Sequence, residues 1–417
     1  MLGRALDKTL LGDDEPVDLE RHLLGRLREF GITRIADTSG LDRLGIPTHS
    51  CVRPSNLDHI WVYSGKGISR AQSRVSAVLE ALERTSALWD SSRVLTGRAS
   101  EFGQAVSPDL FSESFPGYEA DNDIAWVEAS RIGCDEPVLV PADLVFAGRR
   151  PTNAGARDAA RGTSNGLACS TALDDALMRA MLEVIERDAV SFADLKASAF
   201  AASFFSALRR LLELADDERD IPDDPSVAES IDIQSLPPHA AILADRFKRV
   251  GLQLSLMHIP SPTGIPTVGA ATLEQVSFDS VLATAGYASR LTMADAVVAA
   301  LLELAQSRAT DLQGSREDCH TTEKARMDQL PLTHWMVPTN DAAIPIEDFP
   351  DAPGDLSVTA LAERMRTAGA HEVAYVEFPT YDGIRTVRVL APGLETWHAT
   401  HGHSGLGVRL SRLYGEQ

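Results

Sequence analysis

The chain has 417 residues, 44% of them hydrophobic and 24% charged, enough for a globular fold with a sizeable core. Its 39 basic and 60 acidic residues leave a net charge of −21, so it lacks the basic footprint of non-specific nucleic-acid binding. The start, MLGRALDKTLLGDDEPVD, has no signal-peptide apolar region, no apolar run approaches a membrane span, and Cys51, Cys134, Cys169 and Cys319 form no close pair. These features lead us to expect a cytoplasmic protein with free thiols and no membrane or nucleic-acid partner.

In chain order, LERHLLGRLREFGITRIA reads as an amphipathic helix with Leu19, Leu23, Leu27 and Phe30 on one face and Gly31 as its stop. TRIADTSGLDRLGIPTHSCVRP is an ordered, turn-rich stretch, and IWVYSGKG reads as a strand entering a glycine turn. Residues 69–90 follow as a long helix with Val75, Val78, Leu79 and Leu82 on its apolar side. EPVLVPADLVFA has strand character. GTSNGLACSTALDDALMRAMLEVIERDAVSFA reads as a polar glycine loop and then a helix, with Thr171 as its N-cap. ADDERDIPDDPSVAES reads as an exposed acidic loop, and LQLSLMHIP and TVGAATL as strands. Residues 293–310 form a third strong helix and GSREDCHTTEKARMDQLP a polar surface segment. VAYVEFPTYDGIRTVRVLAPG reads as two strands around the Asp382-Gly383 turn.

Three of the helices carry a polar stripe beside an apolar one. Ser76, Glu80, Glu83 and Ala87 line the first; Arg179, Glu183, Glu186 and Val190 the second; Ala299, Glu303, Gln306 and Thr310 the third. Taken one at a time, each is a solvated face, with Glu83 paired to Arg84 or Arg70, and Glu186 to Arg187 or Arg179. Taken together, they propose carboxylates facing inward, where burial costs several kcal/mol per group unless a cation compensates. Mg2+ suits that role, because it takes oxygen ligands and bridges carboxylates to phosphates. The loops SGKGIS and GTSNGLA, which precede the first two helices, offer backbone amides and Lys66 to a phosphate, although neither is a P-loop.

The segments SGKGISRAQSRVSAVLEALERTSA, GTSNGLACSTALDDALMRAMLEVIERDA and SRLTMADAVVAALLELAQSRAT, in that order, resemble the YcaO family. GITRIADTSGLDRLGIPTHSCVRP resembles the leading segment of members found with TfuA-type partners, and VRVLAPGLE the family's late strand, so the likeness runs from about Gly31 to Glu395. The resemblance implies an α+β, YcaO-type ATP-binding fold with mixed sheets and packed helices, unrelated to the P-loop. Residues 1–60 would be an N-terminal helix and lead-in, 61–395 the catalytic domain and 396–417 a tail.

It further implies an enzyme that uses ATP and Mg2+ to phosphorylate a peptide backbone amide oxygen before a nucleophile attacks the carbon. Sulfide gives a thioamide, a Cys, Ser or Thr side chain an azoline, an amine an amidine. Carried over residue by residue, Glu80, Glu83, Glu183 and Glu186 would hold Mg2+, and Glu83, Glu186 and Arg308 would be catalytic. Lys66, Ser76, Arg84, Ser164, Asn165, Arg187, Glu303 and Gln306 would bind the nucleotide. Gln306 has three roles open to it: a phosphate oxygen, a ribose or a metal-bound water.

The ending GVRLSRLYGEQ lacks the proline-rich tail of many azoline formers, which with TSGLDRLGIP favours the thioamide-forming branch. A precursor peptide or protein is the expected substrate, with a TfuA-like or leader-binding protein as partner, and a homodimer is compatible with the sequence. A cyclodehydratase and a non-catalytic docking subunit are the alternatives. His398, His401 and His403 fit no zinc spacing and read as a solvated tail, Cys169 as a small core residue, and Cys319-His320 as no dyad.

Overall fold

A computed structural model describes residues 16–58, 60–111, 122–134, 136–148, 164–211, 227–277, 280–315, 336, 343–354, 356–379, 381 and 383–395. Residues 215–226 of the expected acidic loop, Cys319-His320 and the three histidines of the tail lie outside these residues, while the end of that loop, Glu229–Ser230, is a strand.

The chain begins with α1 (Pro16–Leu24), which buries Leu19 and Leu23. The helix ends earlier than its apolar spacing predicts. Past Gly25 the chain goes on in turns that still bury Phe30, and it leaves them at Gly31 with φ of 72°. Strands β1 (Arg34–Asp37), β2 (Thr48–Val52) and β3 (Val62–Lys66) form an antiparallel sheet.

Helix α2 (Arg70–Ser86) starts at Ser69, whose hydroxyl accepts the Gln72 N–H at 3.1 Å, while the Gln72 amide oxygen accepts the Ile68 N–H at 2.6 Å. It lies directly on β3. A Cβ at Gly65 would collide with the α2 backbone at Ser73 and Ala77, so only glycine permits this approach.

A second sheet has the order β4 (Leu95–Gly97), β5 (Ile124–Arg131), β12 (Ala374–Glu377), β13 (Arg385–Leu390), β7 (Leu167–Ser170), with β6 (Pro137–Pro141) on β5. The short α3 (Ala142–Val145) follows β6. Helix α4 (Leu173–Leu211) packs on β7 and β13 through Ala176, Leu177, Ala180, Met181, Val184 and Ile185. The Ala176 N–H bonds the Ala172 carbonyl, so Ala172, and not the exposed Thr171, immediately precedes the helix.

The third sheet runs β11 (Ser280–Ser289), β10 (Thr267–Ser277), β9 (Gln253–His258), β8 (Glu229–Ser230). One face packs on α5 (Pro238–Arg249) and α6 (Met293–Gln313), the other on Ala189, Val190 and Ala193 of α4. Helix α6 is capped by Thr292 and ends at Gly314 in the left-handed region. A Cβ at Gly286 would strike the α6 backbone at Ala300 and Leu304, so β11 carries α6 as closely as β3 carries α2. Helix α7 (Val358–Thr367) closes the core of α4.

The result is an α+β molecule of antiparallel sheets and seven helices among the described residues, with one strand–turn–helix arrangement used three times: β3–α2, β7–α4 and β11–α6.

Candidate functional site

Counted along each helix, the polar positions coincide. Ser76, Arg179 and Ala299 are the seventh residues of α2, α4 and α6; Glu80, Glu183 and Glu303 the eleventh; Glu83, Glu186 and Gln306 the fourteenth. The three helices present these positions to one cleft, and Lys66 marks where they meet. Its ammonium touches the Glu303 carboxylate. Its charge is also felt by Glu80 of α2 and by Glu186 and Arg187 of α4. Burial, and next the nearby Arg290 cation, bring the Lys66 ammonium down to about 8.

The carboxylates are crowded. Burial and the charges of Glu183 and Glu80 push Glu83 well above the usual range, although Arg84 and the Cys169 N–H oppose the shift. Burial, then the Glu186 charge, lift Glu183 to about 7 against Arg187, Arg388 and Lys66. The side chains of Glu183, Lys66 and Glu303 nevertheless keep 26%, 22% and 30% of their surface open. Groups so deeply set yet reached by solvent line a cleft and are not sealed in the core.

Among the described residues no three His, Cys, Asp or Glu side chains come close enough to hold a metal between them. Mg2+ does not need that. It binds through one or two carboxylates and completes its shell with waters and substrate phosphates. Glu83 and Glu183, hard oxygen donors that burial makes costly to ionise, fit such an ion, and Glu80 and Glu186 beside them would complete the set that could hold it.

The arginines part company. Arg187, fifteenth in α4, lies in the cleft, its Nε 3.9 Å from both Glu183 and Glu186. Arg84, fifteenth in α2, is buried and donates to Asp58 from Nη2 at 2.9 Å and Nε at 3.3 Å. Arg308 is sixteenth in α6, and one residue turns it about 100° away from that position. It is buried and donates from Nε to Asp42 at 2.8 Å and from Nη2 to Glu274 at 2.9 Å. Arg70 reaches Asp37 and not Glu83. Ser76 is half-buried one turn before Glu80. Ser164 and Asn165 form the turn into β7, where the Ser164 carbonyl accepts the Leu167 N–H and Gly166, with φ of 72°, sits beneath Val389 and Val184. Gln306 is half-buried on α6, and its carbonyl accepts the Thr310 hydroxyl at 2.8 Å.

Further groups were not singled out by sequence. Arg290, in the turn before α6, carries a lowered pKa, from burial first, against the pull of Glu186, Asp295 and Glu183. Arg388 of β13 is buried and acts on Glu183. Cys169, which the sequence does single out as a small core residue, is buried beside Glu83, and its thiol is pushed well up by burial and that charge. Asp188 accepts the Glu395 N–H at 2.7 Å, which anchors the chain after β13 to α4. The SRLTM turn and the lone arginine of VRVL were visible, but only the fold brings them to the cleft.

The sequence model of the YcaO cyclodehydratases, described as ATP- and Mg2+-binding, matches residues 64–395. The chain belongs to the YcaO family. An uncharacterized protein of Methanothermobacter thermautotrophicus is 32% identical over 93% of this chain and 95% of its own length. An uncharacterized protein encoded in the tfuA 3' region of Rhizobium leguminosarum bv. trifolii is 27% identical over 88% of this chain and 85% of its own. In fold, the YcaO from Methanopyrus kandleri bound with AMPPCP and Mg2+ superposes with a TM-score of 0.67 at 24% identity, covering 92% of this chain and 91% of that one. A heterocyclase in complex with substrate and cofactor superposes with a TM-score of 0.72 at 17% identity, over 97% of this chain and 55% of that one. The α+β YcaO fold expected from the sequence is the fold observed, and ATP and Mg2+ are the cofactors of the family. No helix among the described residues is long and apolar enough to cross a membrane.

Proposed function

We propose that the chain is an ATP- and Mg2+-dependent enzyme that activates a peptide backbone amide, and that the product is a thioamide. The amide oxygen takes the γ-phosphoryl group and ADP leaves. A sulfide equivalent then adds to the amide carbon and phosphate departs with the original oxygen. The observation that carries this reading is the convergence of Glu80, Glu83, Glu183, Glu186 and Glu303 with Lys66 at matching positions of three helices.

Phosphoryl transfer asks a protein mainly for positioning and charge neutralisation. Glu80, Glu83, Glu183 and Glu186 would hold Mg2+, which when bound neutralises phosphate charge. Lys66 and Arg187 would contact phosphate oxygens. Glu303 would keep Lys66 at the cleft. Ser76, Ser164, Asn165 and Gln306 remain nucleotide contacts in this proposal. Arg84 and Arg308, each committed to an acidic partner, would shape the site and not meet the substrate.

The relative in the tfuA 3' region, alike over most of both chains, supports a TfuA-like partner. The likeness to a heterocyclase supports azoline formation as the second reading. Mass spectrometry of the peptide after incubation with ATP, Mg2+, sulfide and partner separates them: oxygen exchanged for sulfur on one side, one water lost per site on the other. A folded chain that binds neither Mg·ATP nor hydrolyses it in the presence of peptide and partner would instead be a docking subunit.

A further inference from the structure

Two buried ion pairs join the cleft to the segment that precedes it. In the β2–β3 connection Asp58 receives both bonds from Arg84 of α2, with further bonds from the Tyr63 hydroxyl at 3.0 Å and the Ile60 N–H at 3.3 Å. In the β1–β2 connection Asp42 receives Nε and Nη2 of Arg308 on α6, at 2.8 and 3.3 Å, while Glu274 of β10 takes a second bond from the same guanidinium. Neighbouring Arg43 also reaches Glu274. The side chains of Asp58 and Asp42 expose only 1% and 7% of their surface. Both acids lie ahead of residues 64–395, the part shared with the family at large.

The placement answers a mechanical problem. When ionised, Glu83 of α2 and Glu183 of α4 repel each other, and burial amplifies the repulsion. That force pushes the helices apart. Helix α4 is held by apolar packing on two sides, against β7, β13 and α7 and against β10 and β11. Helices α2 and α6 are packed through apolar residues as well, and each is in addition pinned by an arginine next to or two residues from its fourteenth residue. A helix is stiff over one turn, so fixing Arg84 fixes where Glu83 points, and fixing Arg308 fixes Gln306.

We infer that Asp58 and Asp42 are positioning residues of the carboxylate cleft, holding α2 and α6 at the separation that a nucleotide and its Mg2+ ions require. The inference rests on the ATP- and Mg2+-dependent reading above. Partners that orient metal ligands in this way are worth about 10- to 100-fold in metal affinity or activity.

The test is calorimetric titration of Mg·ATP at several Mg2+ concentrations into the full chain, into Asp58→Asn and into Asp42→Asn, with thermal unfolding of each. A lone buried arginine destabilises a protein, so a paired replacement, Asp58→Leu with Arg84→Met, serves if the single variants do not fold; apolar pairs of similar volume commonly replace buried ion pairs without loss. We expect folded variants that bind Mg·ATP about 10- to 100-fold more weakly, with the deficit shrinking as Mg2+ is raised. A structural role alone would lower the unfolding temperature and leave the Mg2+ dependence of the folded protein as in wild type. That result overturns the inference while the functional reading stands. Failure of the wild-type chain to bind Mg·ATP overturns both.

Discussion

Helices α2 and α4 carry the same pattern, Glu-x-x-Glu-Arg, at the same positions from their starts, yet the two arginines have opposite surroundings. Arg187 stays in the cleft, with its Nε 3.9 Å from both of its own glutamates. Arg84 turns away and is locked to Asp58. Both helices put their carboxylates at the cleft. Both are packed through apolar residues, α4 against two sheets and α2 against α1, β2, β3 and β7; what differs is that α2 gains a charged clamp as well. A repeated motif therefore sets where the carboxylates go, and the neighbouring chain decides what the arginine does.

The largest effect should come from the feature the two helices share. Glu83→Gln and Glu186→Gln are each expected to cut ATP turnover by at least about 100-fold, the scale on which a bound metal stabilises transferred charge. Neither should lower the unfolding temperature of the metal-free protein, because Glu83 is a carboxylate that burial and Glu183 already disfavour in its charged form. Full turnover in both variants would break the assignment of these carboxylates.

Where the helices differ, the expected losses move from activity to stability. Arg84→Ala leaves the buried Asp58 carboxylate without its counter-charge and should cost about 3–5 kcal/mol of folding free energy. Arg187→Ala removes a partly open cation from the cleft and should weaken Mg·ATP binding while shifting the unfolding temperature little. Denaturant unfolding beside nucleotide titration measures both. Equal stability losses in the two variants would erase the distinction between α2 and α4.

This contrast also marks how far the sequence could be read. The inward carboxylates were legible, because spacings of three and four on three helices leave one polar stripe each. The strand–turn–helix entries were legible in part: SGKGIS reads as a glycine loop, but Ser64, Gly65 and Lys66 belong to β3 and only residues 67–69 turn into α2. The fate of Arg84 and Arg308 was not. A guanidinium reaches its partner through the fold, and Asp42 and Asp58 are single acids in turn-rich segments with no periodic signal. Arg308 was grouped with Arg84 and Arg187 by its place at the end of the third stripe, and the one-residue offset became meaningful only once helix starts were fixed. Arg290 and Arg388 stand on a turn and a strand, where nothing nearby points to a cleft.

The cleft carboxylates of both helices are shifted upward, whereas the acid that clamps α2 is shifted the other way. Glu183 titrates near 4.5 in an unfolded chain and at about 7 in the folded one. Between these values the folded state holds a proton that the unfolded state has released, so stability falls as pH rises through this window and the loss is complete above 7. The difference amounts to about 3 kcal/mol. Asp58 behaves in the opposite sense. Although burial raises its pKa, Arg84 and Tyr63 lower it further, so its contribution is present above the usual 3.8 and is lost on acidification below it. Metal-free protein should therefore melt progressively earlier from pH 5 to pH 7.5, and Mg·ATP should reverse the trend, because the ion binds the ionised carboxylate and releases its proton. A melting temperature flat across this range would place Glu183 in open solvent.

The smallest change tests what part of the Asp58 clamp acts on α2. Tyr63 is buried, its hydroxyl donates to Asp58 at 3.0 Å, and burial beside that carboxylate keeps the phenol protonated. Tyr63→Phe removes this donor and the bond to the Ile60 carbonyl but leaves the two bonds from Arg84 and the one from the Ile60 N–H. The expected cost is about 2 kcal/mol, as for a hydrogen bond to a charged group. Because the guanidinium still fixes the azimuth of α2, Mg·ATP affinity should stay at the wild-type value in this variant. Urea unfolding and nucleotide titration of the same preparation give both numbers. Weakened Mg·ATP binding would mean that the hydroxyl, and not the charge pair alone, sets the position of Glu83, and the clamp would have to be redrawn as a three-residue unit of Tyr63, Asp58 and Arg84.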